Sequence, residues 1–192
     1  MKLEKMLDIH CLIKDESGGI AMLLIQSTKK LSEQINEKHS REQIIENDPI
    51  YSWHAHVFFY KRKKYVIVMN NRSRYNFILG SLVKKDFMKF DERVRDGIKD
   101  NLLADEFDPK IVEKYLDQCK TVHFAHTSDR SIISQMNDMI LITKHTWNVN
   151  AFKAQDIDLY EQNRSNNEFV MLTLPEAYSK DAMENALREM ED

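Results

Sequence analysis

The sequence predicts an α+β domain, an antiparallel sheet packed by about four amphipathic helices. Three observations carry that expectation. Residues 51 to 79 hold strand-length runs separated by tight polar turns, and the first of these alternates apolar and polar positions. Apolar residues then recur at spacings of three and four over residues 87–102, 111–119 and 132–143. Side chains that cap helices stand where the period changes, with Asp108-Pro109 the clearest case: an acceptor at the cap, and a missing N–H where none is needed.

Taken in order, MLLIQS at 22 to 27 reads as a short strand, and Thr28 caps a helix over KKLSEQINEK with Leu31 and Ile35 on one face. A connector over residues 40 to 50 ends at Asp48 and Pro49. In SWHAHVFFY, Trp53, Ala55, Val57 and Phe59 alternate with His54, His56, Phe58 and Tyr60, so a strand would turn Trp53 to the core and both histidines to the opposite face. KRKK then reads as a tight basic tip, KYVIVMN as the returning strand, NRS as a second turn and RYNFIL as a third strand. A helix follows behind Asp86, carrying Phe87, Phe90, Val94, Ile98 and Leu102. The next, from Pro109, carries Ile111, Val112, Tyr115, Leu116 and Cys119. VHFAH at 122 to 126 is strand-like, and from Ser128 a helix uses Ile132, Ile133, Met136, Met139, Ile140 and Thr143. Weak strands are expected near 156–160 and 168–173, and a final helix after Ser179 uses Ala182, Met183, Ala186, Leu187 and Met190.

Length and composition suit one domain. The 192 residues are 42% apolar and 31% charged, enough to bury a core. Cys11 and Cys119 form no C-x-x-C pair or disulfide framework, and no apolar run approaches the ~20 residues that cross a bilayer, so the expected setting is cytoplasmic, without a membrane. The net charge of -3 conceals a division: residues 61 to 93 hold ten Lys/Arg against three Asp/Glu, and residues 155 to 192 hold three against ten. The basic part can attract nucleic acid or an acidic partner, or the acidic tail can fold back over it.

Several ordered blocks, MLLIQSTKKL, SWHAHVFFYKRKKYVIVMNNRSRY, KKDF and HTSDRSIISQMNDM, resemble the bacterial domain of unknown function 6933 over roughly residues 22 to 140. That family occurs alone or attached to plasmid ORF-three-like proteins, and no activity is implied by the resemblance. Trp53, His54 and Ala55 match its Trp-His-Ala-Asn block, with His56 in place of the Asn; Asn70 and Asn71 stand where it has Asn-Asp. The family-like region makes Met22 the expected start of the domain, with residues 1–21 an N-terminal extension, 22–192 a single α+β domain and 146–192 its acidic C-terminal part.

The matched residues permit several chemistries. His54 and His56, two apart on one strand face, could share a metal, with His123, His126 and Asp129 as further ligands from a later strand end. Without a metal, His54 could act as a general base, with Arg130 stabilising a phosphate and Asn71 orienting the substrate, as in a phosphodiester hydrolase. A purely structural account competes with both: Ser128 and Asp129 cap the helix after them, Arg130 pairs with a nearby carboxylate, and His54 bonds across the sheet. Lys61, Arg62, Lys63, Lys64, Arg72 and Arg74, interleaved with Tyr60, Tyr65 and Tyr75, suit a track for single-stranded nucleic acid, although no recognised nucleic-acid module is present. Such cations also protect a sheet from edge pairing. The reading that follows is a non-catalytic interaction or regulatory module in a mobile-element or host-defence setting, with a protein or nucleic-acid partner and no cofactor. A His-based or metal-dependent phosphodiester hydrolase is the alternative.

Overall fold

A computed structural model describes residues 22–35, 47–127, 129–153 and 156–190. The expected extension over 1–21 and most of the connector before Asp48 lie outside the described residues. Five strands form one sheet: β1 (Leu23–Ser27), β2 (Ser52–Tyr60), β3 (Lys63–Asn70), β4 (Asn76–Leu82) and β5 (Val122–His126), in the order β4-β3-β2-β1-β5. The meander appears as expected, with β2 antiparallel to β3 and β3 to β4. The sheet is nevertheless mixed, because β1 runs parallel to both β2 and β5. Parallel strands need crossover connections and are covered on both faces, so they read as apolar runs with no alternation to reveal their direction. LLIQS is such a run, buried at every position.

Among the described residues, seven α-helices rather than about four flank the sheet. On one face lie α1 (Lys29–Ile35), α2 (Lys84–Phe87), α3 (Phe90–Ala104), α4 (Pro109–Gln118) and α7 (Ser179–Arg188), whose apolar residues pack with Leu23, Ile25, Trp53, Ala55, Val57, Val68 and Phe77. The helix expected behind Asp86 is two helices. Asp86 sits inside the first and accepts from the Val83 N–H at 2.8 Å. Asp108 caps α4 through Lys110 N at 2.8 Å, as the Asp-Pro pair predicted. On the opposite face, α5 (Arg130–Phe152) covers Phe58, Tyr60, Tyr65, Ile67, Met69 and Ile78. Burying an aliphatic or aromatic side chain of this size contributes about 1.5–3 kcal/mol, so both cores matter to stability. β2 is therefore covered on both sides over most of its length, and the face that carries the histidines, opposite the Trp53 core, is not open. Tyr60 tolerates this because its hydroxyl donates to Asn148 Oδ1 at 3.0 Å.

The two weak strands expected in the C-terminal part are not present. Residues 159–167 form α6 (Leu159–Asn167), begun by Asp158, which accepts from Glu161 N at 3.2 Å. Residues 168–173 contribute one isolated bridge, Val170 to Tyr178. Asparagines are poor helix formers, but here they have a tertiary task along the outer strand β4. Asn167 accepts from Asn76 N at 2.8 Å and donates to Asn76 O at 2.9 Å; Asn163 accepts from Ile78 N at 2.8 Å and donates to Ile78 O at 3.4 Å. One helix turn apart, the two amides continue the ladder where a sixth strand would lie, which closes an edge open to other chains. Behind them Arg164 Nε lies 2.6 Å from Asp105 Oδ1, and Tyr75 donates to the same carboxylate. Among the described residues no helix is long and apolar enough to cross a membrane.

Candidate functional site

His54 is at the centre of the sheet on the face covered by α5, opposite Met69 of β3 and beside Gln26 of β1. It is 0% exposed. Its Nδ1 lies 2.7 Å from Asn71 Oδ1, and Asn71 Nδ2 donates to Gln26 Oε1 at 2.7 Å. This chain of contacts fixes the tautomer: with the Asn71 amide committed to Gln26 through its nitrogen, its oxygen must accept, so His54 carries its proton on Nδ1. Nε2 is then a bare lone pair, and among the described residues no protein group bonds to it. Burial holds the His54 pKa below its ordinary value; the Asn71 hydrogen bond and the Asp129 charge oppose that, and Arg74 reinforces it.

The turn after β3 positions Asn71. Asn70 is its scaffold: the amide nitrogen donates to Ile50 O at 2.8 Å, and its oxygen accepts from Arg72 N and Ser73 N, each at 3.0 Å. Asn71 N in turn donates to Ser52 O at 2.9 Å, which holds the turn against the start of β2. Arg74, at φ 62°, folds back so that its guanidinium donates to the Asn71 carbonyl. The Asn-Asn pair thus divides its labour, the first residue building the loop and the second presenting its side chain to His54.

His56 shares the face but not the network. Its Nδ1 is 2.9 Å from the Thr28 hydroxyl, and burial with Lys30 and Lys144 holds its pKa down. Thr28 still starts α1, through a carbonyl that accepts from Leu31 N and Ser32 N, each at 2.9 Å. Each histidine therefore commits one nitrogen to a different partner, and among the described residues no group of three or more His, Cys, Asp or Glu is placed to hold a metal. In β5, His123 is level with Leu24, and His126, three rungs further, is level with Ser27; neither strand position is next to β2. Asp129 caps α5, accepting from Ser131 N at 2.7 Å, while Ser128 lies outside the described residues. Arg130 is exposed on the first turn of α5; the cation held at the Asn71 carbonyl is Arg74.

Of the six cations read as a nucleic-acid track, three are held by other polar groups, and Lys61 lies over the Tyr60 ring. Arg72 pairs with Glu189 beyond the end of α7, so part of the acidic tail does fold onto the basic region. Arg74 faces inward, and Lys64 reaches Gln34 and lies over the Phe87 ring. The tip is also tighter than KRKK suggested: the turn is Lys61 and Arg62 alone, at φ 43° and 64°, the mirror-image turn that fits a twisted hairpin. Lys63 and Lys64 already belong to β3. Lys61, Arg62 and Lys63 remain exposed. Trp53, on the other face, is a core anchor whose indole donates to Tyr115 Oη at 2.9 Å. Cys119 is sealed beside it, and burial pushes its thiol up to about 12.

Gln26 and Thr28 are the residues of this site that the sequence did not single out. The available signal was a lone glutamine closing an otherwise apolar strand, a position that must find a partner once both faces are covered.

A sequence model described as "Domain of unknown function (DUF6933)" matches residues 24–182, extending the resemblance through α6 and into α7. No curated protein and no solved structure matches the chain.

Proposed function

The chain belongs to the family described as Domain of unknown function (DUF6933), and from that premise we propose that it is a non-catalytic interaction module, engaging an anionic partner through the exposed end of the β2–β3 hairpin. One observation carries the reading: the chemistry-bearing cluster, His54 with Asn71 and Gln26, is enclosed between sheet and helix, whereas Lys61 and Arg62 in the two-residue turn and Lys63 at the start of β3 are exposed. A mobile-element or host-defence setting is the context that the family resemblance suggests for such a module. Single-stranded nucleic acid is the partner whose chemistry fits best, because three exposed cations at one hairpin end suit a phosphate backbone. With about three phosphates neutralised, the log-log salt slope should lie near -2. Charge removal at Lys61, Arg62 and Lys63 together should abolish the binding. Tight binding that ignores salt, or none at low salt, would refute the reading.

A second reading rests on the bare Nε2 of His54, the atom that a general base would use in phosphodiester hydrolysis. It requires substrate to enter beneath the start of α5. Turnover of bis(p-nitrophenyl) phosphate that disappears in His54→Gln would establish it, and absence of turnover with and without added divalent metal would remove it.

A further inference from the structure

Where the hairpin meets the C-terminal half of α5 there is a cavity of about 450 Å³, lined by Lys61, Lys63, Tyr65, Ser81, Trp147 and Leu159, with Gly80, Ala151, Asp156 and Ile157 completing it. Its size is that of a small-molecule site. We propose that this cavity binds a phosphomonoester with a compact planar body, the class to which nucleoside monophosphates belong. The proposal goes beyond the hairpin reading: it shares Lys61 and Lys63 with it, but rests on the cavity.

Four observations converge on that chemistry. Lys61 and Lys63 are exposed at the cavity mouth and supply two ammonium groups, against one carboxylate, Asp156. That balance favours an anion carrying more than one negative charge. Trp147 is 1% exposed, yet its indole N–H has no acceptor among the described residues. A buried donor without a partner is expensive, and a ligand acceptor in the cavity that Trp147 lines would satisfy it. The wall is backed by a preassembled aromatic cluster: the Trp147 ring centroid lies 4.8 Å from that of Tyr65 and 5.1 Å from that of Tyr60. Finally, the wall is shaped by an irregular strand. The β3–β4 register shifts between Lys64 and Val66, and Ser81 adopts φ 50°. A Cβ at Gly80 would come within 2.0 Å of Leu159 Cδ1, so glycine lets α6 press against the strand there. An irregular wall, a buried donor set within it and cations at the mouth place the phosphate near Lys61 and Lys63, with the body of the ligand toward Ile157, Leu159 and the Trp147 side of the cavity.

Calorimetric titration of the full chain with adenosine monophosphate, inorganic phosphate and adenosine, at a salt concentration that suppresses strand binding, tests the assignment. Adenosine monophosphate should bind saturably, at 1:1, and at least tenfold more tightly than either fragment. Lys61→Gln with Lys63→Gln should weaken it at least tenfold, and Trp147→Phe, which keeps the ring and removes the donor, severalfold. Arg62→Gln, outside the cavity, should leave adenosine monophosphate binding unchanged while weakening single-strand binding, so the two readings fail separately. Should Trp147→Phe lose its cooperative unfolding, the lysine pair, being exposed, still decides the matter. No saturable binding of adenosine monophosphate, affinity no better than that of phosphate, or binding untouched by the lysine substitutions would overturn the proposal.

Discussion

Two buried polar networks flank the meander, and they end differently. Along β4, the amides of Asn163 and Asn167 match a backbone N–H and C=O each, and Arg164 meets Asp105, Asn101 Oδ1 and the Tyr160 ring. Under α5, the relay from Gln26 through Asn71 to His54 stops at a bare imidazole nitrogen. The first network has the form of a structural seal, in which helix side chains stand in for a missing strand. The second keeps one titratable atom in reserve, so the state of that region depends on pH in a way the seal does not.

The contrast can be tested from its strongest side first. Arg164→Ala strands the Asp105 carboxylate in a site where it is almost fully buried, so it should cost about 3–5 kcal/mol in urea denaturation. A loss below about 1 kcal/mol would show that the seal is not load-sharing. Burial and the same carboxylate hold the Tyr75 hydroxyl well above its ordinary pKa, so it remains a donor to Asp105 and should soften the penalty toward the lower end of that range.

Asn167→Ala should cost about 1–3 kcal/mol, because it removes the partners of Asn76 N–H and C=O at a covered edge. Amide exchange should then accelerate at Asn76, the rung left without its side-chain acceptor, more than at Val68 in the sheet centre. Equal acceleration at both would mean that the loss is global rather than an opened edge.

The relay predicts a pH signature. The folded pKa of His54 lies below 6.5, so as pH falls through 6.5 the unfolded chain takes up the proton first and stability declines, levelling once the folded histidine also protonates. His56 is shifted in the same direction and adds to the slope. His54→Gln should therefore flatten the pH dependence below 6.5 without removing it, and at pH 8 should cost about 1–3 kcal/mol for the disrupted Asn71 contact. An unchanged slope would place His54 among ordinary packed side chains.

Last and smallest, Glu189→Gln breaks the pairing with Arg72. Both side chains are substantially exposed, so stability should move by less than about 1 kcal/mol. The more sensitive readout is nucleic-acid binding at low salt, which should strengthen as Arg72 is released. No change there would mean that the acidic tail does not regulate the basic hairpin.

Local pattern determined the elements whose physics is local. The β2–β3–β4 meander, the Asp108 cap, the α4 and α5 stripes and the core position of Trp53 all follow from period, turn chemistry and capping, and each stands where those signals put it. The proximity of His54 to Asn71 also came from local order, since a meander brings the end of β3 beside the start of β2. What the sequence could not decide was which faces would be covered, because burial depends on a partner that pattern within one segment does not name. His54 became enclosed because α5 crosses the sheet above it, and β1 became parallel because crossover helices carry its neighbours in. For the same reason residues 156–160 read as a weak strand although Leu159 and Tyr160 begin a helix: the Asn163 and Asn167 side chains that hold it to β4 find their backbone partners 85 and 91 residues away in the chain. Likewise, six cations looked alike in sequence until Glu189, Asn71 and Gln34 claimed three of them.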